Sequence, residues 1–367
     1  MDRRLWAGNR GGPRVVVGER EEGTSEATVE AAGHTTSVRA KGTAGGIGRV
    51  VILALAVLFV PILTACGGEA EGPAGGPVRV VATYSILGDL VENVGGEKVE
   101  LTTLVGPNGD AHTFEPAPSD NAELAEAEVV FENGLGFEEP WLGDLYASSG
   151  SEAARVTVTD RIEPLTVAAQ GQGHEEAAHE EAAHEDGGHG QVDPHAWHDV
   201  NNTIAMVKSI RDALSEADPG NARSYRRSAE GCIADLEALD AEVREKVGSI
   251  PEENRVLFTS HDTFGYFADR YGFEVDTALA SASTEAGDPS AGRTAEVVEK
   301  VEGSGVPAIF ADNVSDAGVM EGIAAEAGVE LAPPLYTDAL GEPGSEGGTY
   351  AGMVRYNVST MNEALQR

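Results

Sequence analysis

The chain has 367 residues, with 41% hydrophobic residues and only 5% aromatic ones, so aliphatic side chains must carry most of its burial. Its 62 acidic residues against 25 basic ones give a formal net charge of -37, which excludes a nucleic-acid partner whose phosphates need a basic surface. Two cysteines, Cys66 and Cys232, are too few for a disulfide framework; Cys232 falls in a helical pattern and reads as a small packed side chain.

Residues 1–48 show no apolar period and read as a disordered or over-extended N-terminus. From Val50 to Leu63 the chain is almost wholly apolar, shorter than the ~20 residues that cross a bilayer, with Arg49 before it and small residues after it. That is the pattern of a secretory signal, expected over 49–66. Leu63-Thr64-Ala65-Cys66 resembles a bacterial lipobox, whose cysteine takes lipid, and the Gly/Pro-rich stretch 67–77 follows as a tether. The folded part is therefore expected outside the cytoplasm, held at the membrane through Cys66.

Val78–Thr83 is rich in β-branched residues and reads as a strand. Ile86, Leu87, Leu90, Val91 and Val94 then recur at helical spacing and stop at Gly95-Gly96. Further strands are expected at 99–105, 129–132 and 155–159. A second series follows at 256–260, 274–279, 308–311 and 329–333, with helices near 263–271, 291–302 and 318–327. Strands alternating with helices predict an α/β fold with mainly parallel sheets in two lobes. The first lobe is expected over 78–220, including a histidine-rich loop at 171–191, and the second over 251–367. Between them, 221–250 reads as one long helix with Leu236, Leu239 and Val243 on one face. At ~1.5 Å per residue it spans ~40 Å, a rigid strut that limits lobe closure.

Four residues stand out by position. His112 follows the strand ending at Val105. His195 follows the fourth strand and a long loop. His261 follows the strand at 256–260, and Asp338 follows the strand at 329–333. Ligands of open α/β sheets gather at carboxyl ends of strands. If the lobes face each other, all four converge, and imidazole nitrogens with one carboxylate suit tetrahedral zinc. Manganese also accepts this donor set. His174, His179, His184 and His189 recur every five residues, which turns each by ~140° on a helix, so they read as a loop that gathers zinc weakly.

The segments Gly109–Asp120, Asp193-Pro-His-Ala-Trp197, Thr259–Phe267 with Arg270-Tyr-Gly272, and Leu335–Leu340 with Thr349–Met353 closely resemble motifs of the zinc- and manganese-binding receptors of bacterial ABC importers, the ZnuA/TroA-like group. Gly134–Glu138, Trp141 and Ser283–Ser290 match positions of that group that are not ligands. The resemblance covers nearly all of 78–367. It implies two pseudo-symmetric lobes joined by one backbone helix, and His112, His195, His261 and Asp338 around a metal. It also implies partners in a permease and its ATPase, with the receptor itself a monomer, and a histidine-rich insert in the zinc-importing members. His198 stands where an apolar residue is expected, three positions from His195, and is a rival ligand or a supporting group. Glu115 is a second candidate for orienting an imidazole. The expected function is zinc receipt for import, with manganese as the alternative. An adhesin-like lipoprotein and a secreted zinc hydrolase are the other classes. No His-Glu-x-x-His run or nucleophile elbow supports the hydrolase.

Overall fold

Seven-residue Val78–Tyr84 (β1) is buried at every position but Arg79, as a central strand covered on both faces must be. It lies between Val99–Val105 (β2) and Val129–Glu132 (β3), and Ala154–Thr157 (β4) pairs with β3. All pairings are parallel, in the order β2-β1-β3-β4. The computed structural model describes residues 76–166, 192–278 and 290–366. The expected signal, Cys66, the tether, His174, His179, His184, His189 and most of the Ser283–Ser290 motif lie outside the described residues.

Helix α1 (Ser85–Gly95) leaves β1 without a break and buries Ile86, Leu87, Leu90, Val91 and Val94, the periodic set of the sequence. Gly88 and Gly95 are needed there for closeness rather than for conformation. A Cβ on Gly88 would stand 2.5 Å from Thr103 Oγ1, and one on Gly95 the same distance from Val99 Cγ2. Short helices α2 (Pro118–Glu126) and α3 (Leu142–Ser149) pack on each other. A helix α4 (Val200–Ala217), capped by the Asp199 side chain on the amide of Asn201, completes this lobe. Short α2 and α3 lack the spacing that reveals α1, whereas α4 carries it in Val200, Ile204, Val207, Ile210 and Leu214, a period absent from the expected elements.

Helix α5 (Ala222–Val247) is the expected strut, 26 residues long. Its buried stripe of Tyr225, Ala229, Cys232, Leu236, Leu239, Val243 and Val247 steps by three and four. Burial pushes the Cys232 thiol up to about 12, so it behaves as an apolar side chain. Helices α1 and α4 of the first lobe pack on α5, and so does α9 (Tyr350–Leu365) of the second.

The second lobe repeats the scheme in two parallel pairs, Val256–Thr259 (β5) with Glu274–Thr277 (β6), and Ala308–Asp312 (β7) with Glu330–Leu335 (β8). With β5 beside β7 the strands run β6-β5-β7-β8, the order of the first sheet. Helices α6 (Gly265–Tyr271), α7 (Ala291–Ser304) and α8 (Gly318–Ala327) connect them. Phe258, Val297, Val301, Ile309, Met320 and Ile323 are among the side chains of this lobe's core. Among the described residues, no helix is long and apolar enough to cross a membrane.

Candidate metal centre

Each of the four positions lies beyond the carboxyl end of a strand: His112 after β2, His195 after β4, His261 after β5 and Asp338 after β8. Their side chains meet. One ligand atom from each lies within 4.8 Å of all the others, and all four residues are buried. His112 Nε2 is 3.3 Å from His195 Nε2. Asp338 reaches both remaining imidazoles, with Oδ1 3.2 Å from His195 Nε2 and Oδ2 3.0 Å from His261 Nε2.

Local structure explains how each side chain is aimed. The His112 loop is held by Asp110, whose Oδ1 accepts from the His112 amide at 2.8 Å, and by Trp141, whose Nε1 donates to Ala111 O at 2.8 Å. Phe137 packs edge-on against the His112 ring, with centroids 4.8 Å apart. Glu138, of the same Gly134–Glu138 motif, accepts from the amides of Asn133 and Gly134 and from Thr83. His195 opens a single 3-10 turn, Ala196–His198, that runs into α4. The Asp338 loop is fastened across to the first lobe. Trp197 Nε1 donates to Thr337 O at 3.0 Å, the Leu340 amide donates to Ser85 Oγ at 2.9 Å, and the Asn108 amide donates to Leu340 O at 2.8 Å.

Two carboxylates sit behind the imidazoles. Asp193 Oδ1 is 2.7 Å from His195 Nδ1, and Asp312 Oδ2 is 2.6 Å from His261 Nδ1. Each holds Nδ1 as a donor, so that the proton a cation displaces is the one on Nε2, whose lone pair then faces the cluster. Sequence reasoning missed both. Asp193 lies inside the quoted Asp193–Trp197 segment, and Asp312 ends an otherwise apolar strand, the one signal that could have revealed it.

The two proposed supporting groups behave differently from expectation. Glu115 is exposed, because its loop turns outward after His112, so Asp193 and Asp312 take the orienting role expected of it. His198 is buried but its ring leaves the cluster and lies against Phe264, centroids 4.5 Å apart. Burial holds its pKa down to about 3, so it is neutral, and its Nε2 has no hydrogen-bond partner among the described residues.

Electrostatics mark the cluster as a charged site in a dry interior. Burial holds His112 down to about 4. Burial also opposes charge on His195, but the hydrogen bond from Asp193 and the nearby Asp338 outweigh it and carry His195 up to about 9. His261 is raised well above the usual imidazole range, the charges of Asp312 and Asp338 overcoming burial. Asp338 is held well below the usual carboxylate range: burial works against ionisation, and His261 and His195 reverse it.

The donor set fits a cation. A tetrahedral ion with arms of ~2.0–2.2 Å separates its ligands by about 3.4 Å, close to the spacings here. His261 Nε2 and Asp338 Oδ1 are buried and, among the described residues, have only other members of the cluster as partners. Four ligand atoms that crowd one buried point at contacts of 3.0–3.3 Å are what a bound ion would satisfy.

Two α/β lobes locked by one helix and closing on a single buried group of three imidazoles and a carboxylate define a metal receptor of the two-lobed binding-protein class. The chain belongs to the ZnuA family, "Zinc-uptake complex component A periplasmic", whose model matches residues 80–364. It is 34% identical over 320 residues to the manganese-binding lipoprotein MntA of Halalkalibacterium halodurans, covering 86% of this chain and 99% of that one. It is likewise 34% identical to the manganese-binding lipoprotein MntA of Bacillus subtilis, over 86% of this chain and 99% of the relative. The periplasmic zinc binding protein TroA of Treponema pallidum superposes with a TM-score of 0.68 at 32% identity, covering 80% of this chain and all of that one.

Proposed function

We propose that the protein receives zinc outside the cytoplasm and delivers it to an ABC-type permease and its ATPase, with His112, His195, His261 and Asp338 as the ligands. The observation that carries this reading is the donor set itself: three Nε2 atoms and one carboxylate, all buried, with two imidazoles oriented from behind by Asp193 and Asp312. Imidazole-rich sites favour zinc over the harder, oxygen-seeking ions. Four protein ligands fill a tetrahedron and leave no position for an activated water, as a carrier requires and a zinc hydrolase cannot accept. The lipobox-like Leu63–Cys66 supports lipid anchoring at Cys66, in keeping with relatives that are named lipoproteins.

Manganese is the second reading, favoured by the two relatives named manganese-binding. Cellular uptake of each metal by the intact importer separates them, since an N/O site binds zinc more tightly than manganese whichever metal it serves, and titration calorimetry tests the ligands. Uptake of zinc should depend on the protein, and His112→Ala, His261→Ala and Asp338→Ala should each weaken zinc binding in the calorimeter. Uptake of manganese and not of zinc that depends on the protein would replace the first reading with the second. Undiminished binding in all three variants would remove the site.

A further inference from the structure

Helix α6 of the second lobe approaches the first lobe at one unusual point. A Cβ built on Gly265 would stand 2.5 Å from Asp193 Oδ2. The other oxygen of that carboxylate, Oδ1, accepts from the His195 amide at 2.9 Å and contacts His195 Nδ1 at 2.7 Å. The carboxylate is thus caught between an imidazole on one side and bare helix backbone on the other. Beside it, Tyr266 Oη donates to Asp193 O at 3.1 Å and accepts from the Leu165 amide at 3.0 Å, so the same helix ties two segments of the first lobe. His261 is different: its carboxylate, Asp312, ends β7 within the second lobe.

The geometry points to Gly265 and Asp193 as a pair of positioning residues that make the aim of His195 depend on the seating of the second lobe. When α6 is seated, Asp193 has one place to stand, and that place fixes the His195 tautomer and ring. When α6 shifts, the carboxylate gains room to turn and His195 loses its orientation. The lobe carrying His261 and Asp338 thereby governs a ligand it does not own, through contact alone.

Gly265 can be tested cleanly because its backbone does not require glycine. It is absent from the positive-φ residues, and alanine is the better helix former. A methyl there should leave the fold intact and displace only the carboxylate. Asp193 cannot yield freely, since Oδ1 is held twice by His195.

The inference rests on His195 being a ligand, so the experiment begins with His195→Ala. Zinc affinity is measured by competition with a chromophoric chelator for wild type, His195→Ala, Gly265→Ala, Asp193→Ala and the double variant Gly265→Ala/Asp193→Ala. Cobalt(II) absorption reports the ligand geometry, and thermal unfolding without metal reports the fold. Loss of an outer partner of a ligand typically lowers affinity ~10–100-fold. Gly265→Ala should fall in that range with an altered cobalt spectrum and unchanged metal-free unfolding, and it should add nothing in the Asp193→Ala background. Asp193→Asn, which keeps an oxygen for Nδ1, should retain more affinity than Asp193→Ala. Wild-type affinity in His195→Ala would overturn the ligand reading. A tight-binding Gly265→Ala beside a crippled His195→Ala would overturn this inference alone. So would equal losses from Gly265→Ala in both backgrounds, or unfolding of Gly265→Ala without metal.

Discussion

Metal binding should expel more than one proton at neutral pH, and the cluster explains why. A cation needs the Nε2 lone pairs of His195 and His261. Without a cation both rings are held in the charged form, His195 with a pKa of about 9 and His261 well above its usual range, while His112 at about 4 is already neutral. At pH 7.5 an imidazole of pKa 9 is ~97% protonated, so His195 releases about one proton and His261, raised in the same direction, adds to it. Affinity should then rise by more than ~10-fold from pH 7 to pH 8. Three ordinary imidazoles, at ~6.5 each, would together hold only about 0.3 proton at pH 7.5 and give an almost flat profile. The sign carries over to stability. A raised imidazole pKa stabilises the metal-free fold below ~6.5, and that contribution fades as pH climbs through about 9. The thermal stabilisation conferred by zinc should therefore grow with pH. Calorimetry in buffers of different ionisation enthalpy counts the protons directly. A release below one proton at pH 7.5 would refute the charged-pair description of the cluster.

Other outcomes follow from single contacts. Asp338→Asn should weaken zinc binding by more than the ~10–100-fold that loss of an outer-shell partner costs, because Asp338 stands between two imidazoles; the chelator competition measures it. Leu239→Ala, on the buried stripe of α5, should cost about 2–5 kcal/mol in urea unfolding. Gly134→Ala should cost about 1–3 kcal/mol or more, since Gly134 has φ 83° and a Cβ there would lie 2.3 Å from Thr157 Cγ2. Cys66→Ser should move the protein from the membrane fraction to the soluble one after cell fractionation.

The site was more legible in the sequence than the scaffold around it. Position past a strand end singles out His261, two residues beyond β5, and Asp338, three beyond β8, while His112 and His195 stand further along their loops and were found by residue type and motif. Helix α1 declares itself by period. Helix α4 carries the same kind of stripe in Val200, Ile204, Val207, Ile210 and Leu214, and sequence reasoning missed it. The pairing of Asp312 with His261 joins residues 51 positions apart, and nothing local records it. Glu115 misled for the opposite reason: nearness in the chain to His112 suggested a partnership that the turn of the loop prevents.

Helix α5 has a last consequence. Its apolar stripe is covered by α1 and α4 from one side of the molecule and by α9 from the other. Neither lobe therefore owns a finished interior. Cutting the chain near Pro251 would expose the stripe to water in one fragment and strip α9 of its support in the other. Unfolding of the described part should be a single all-or-none transition, in which the helix that spaces the lobes is also what makes them one cooperative unit.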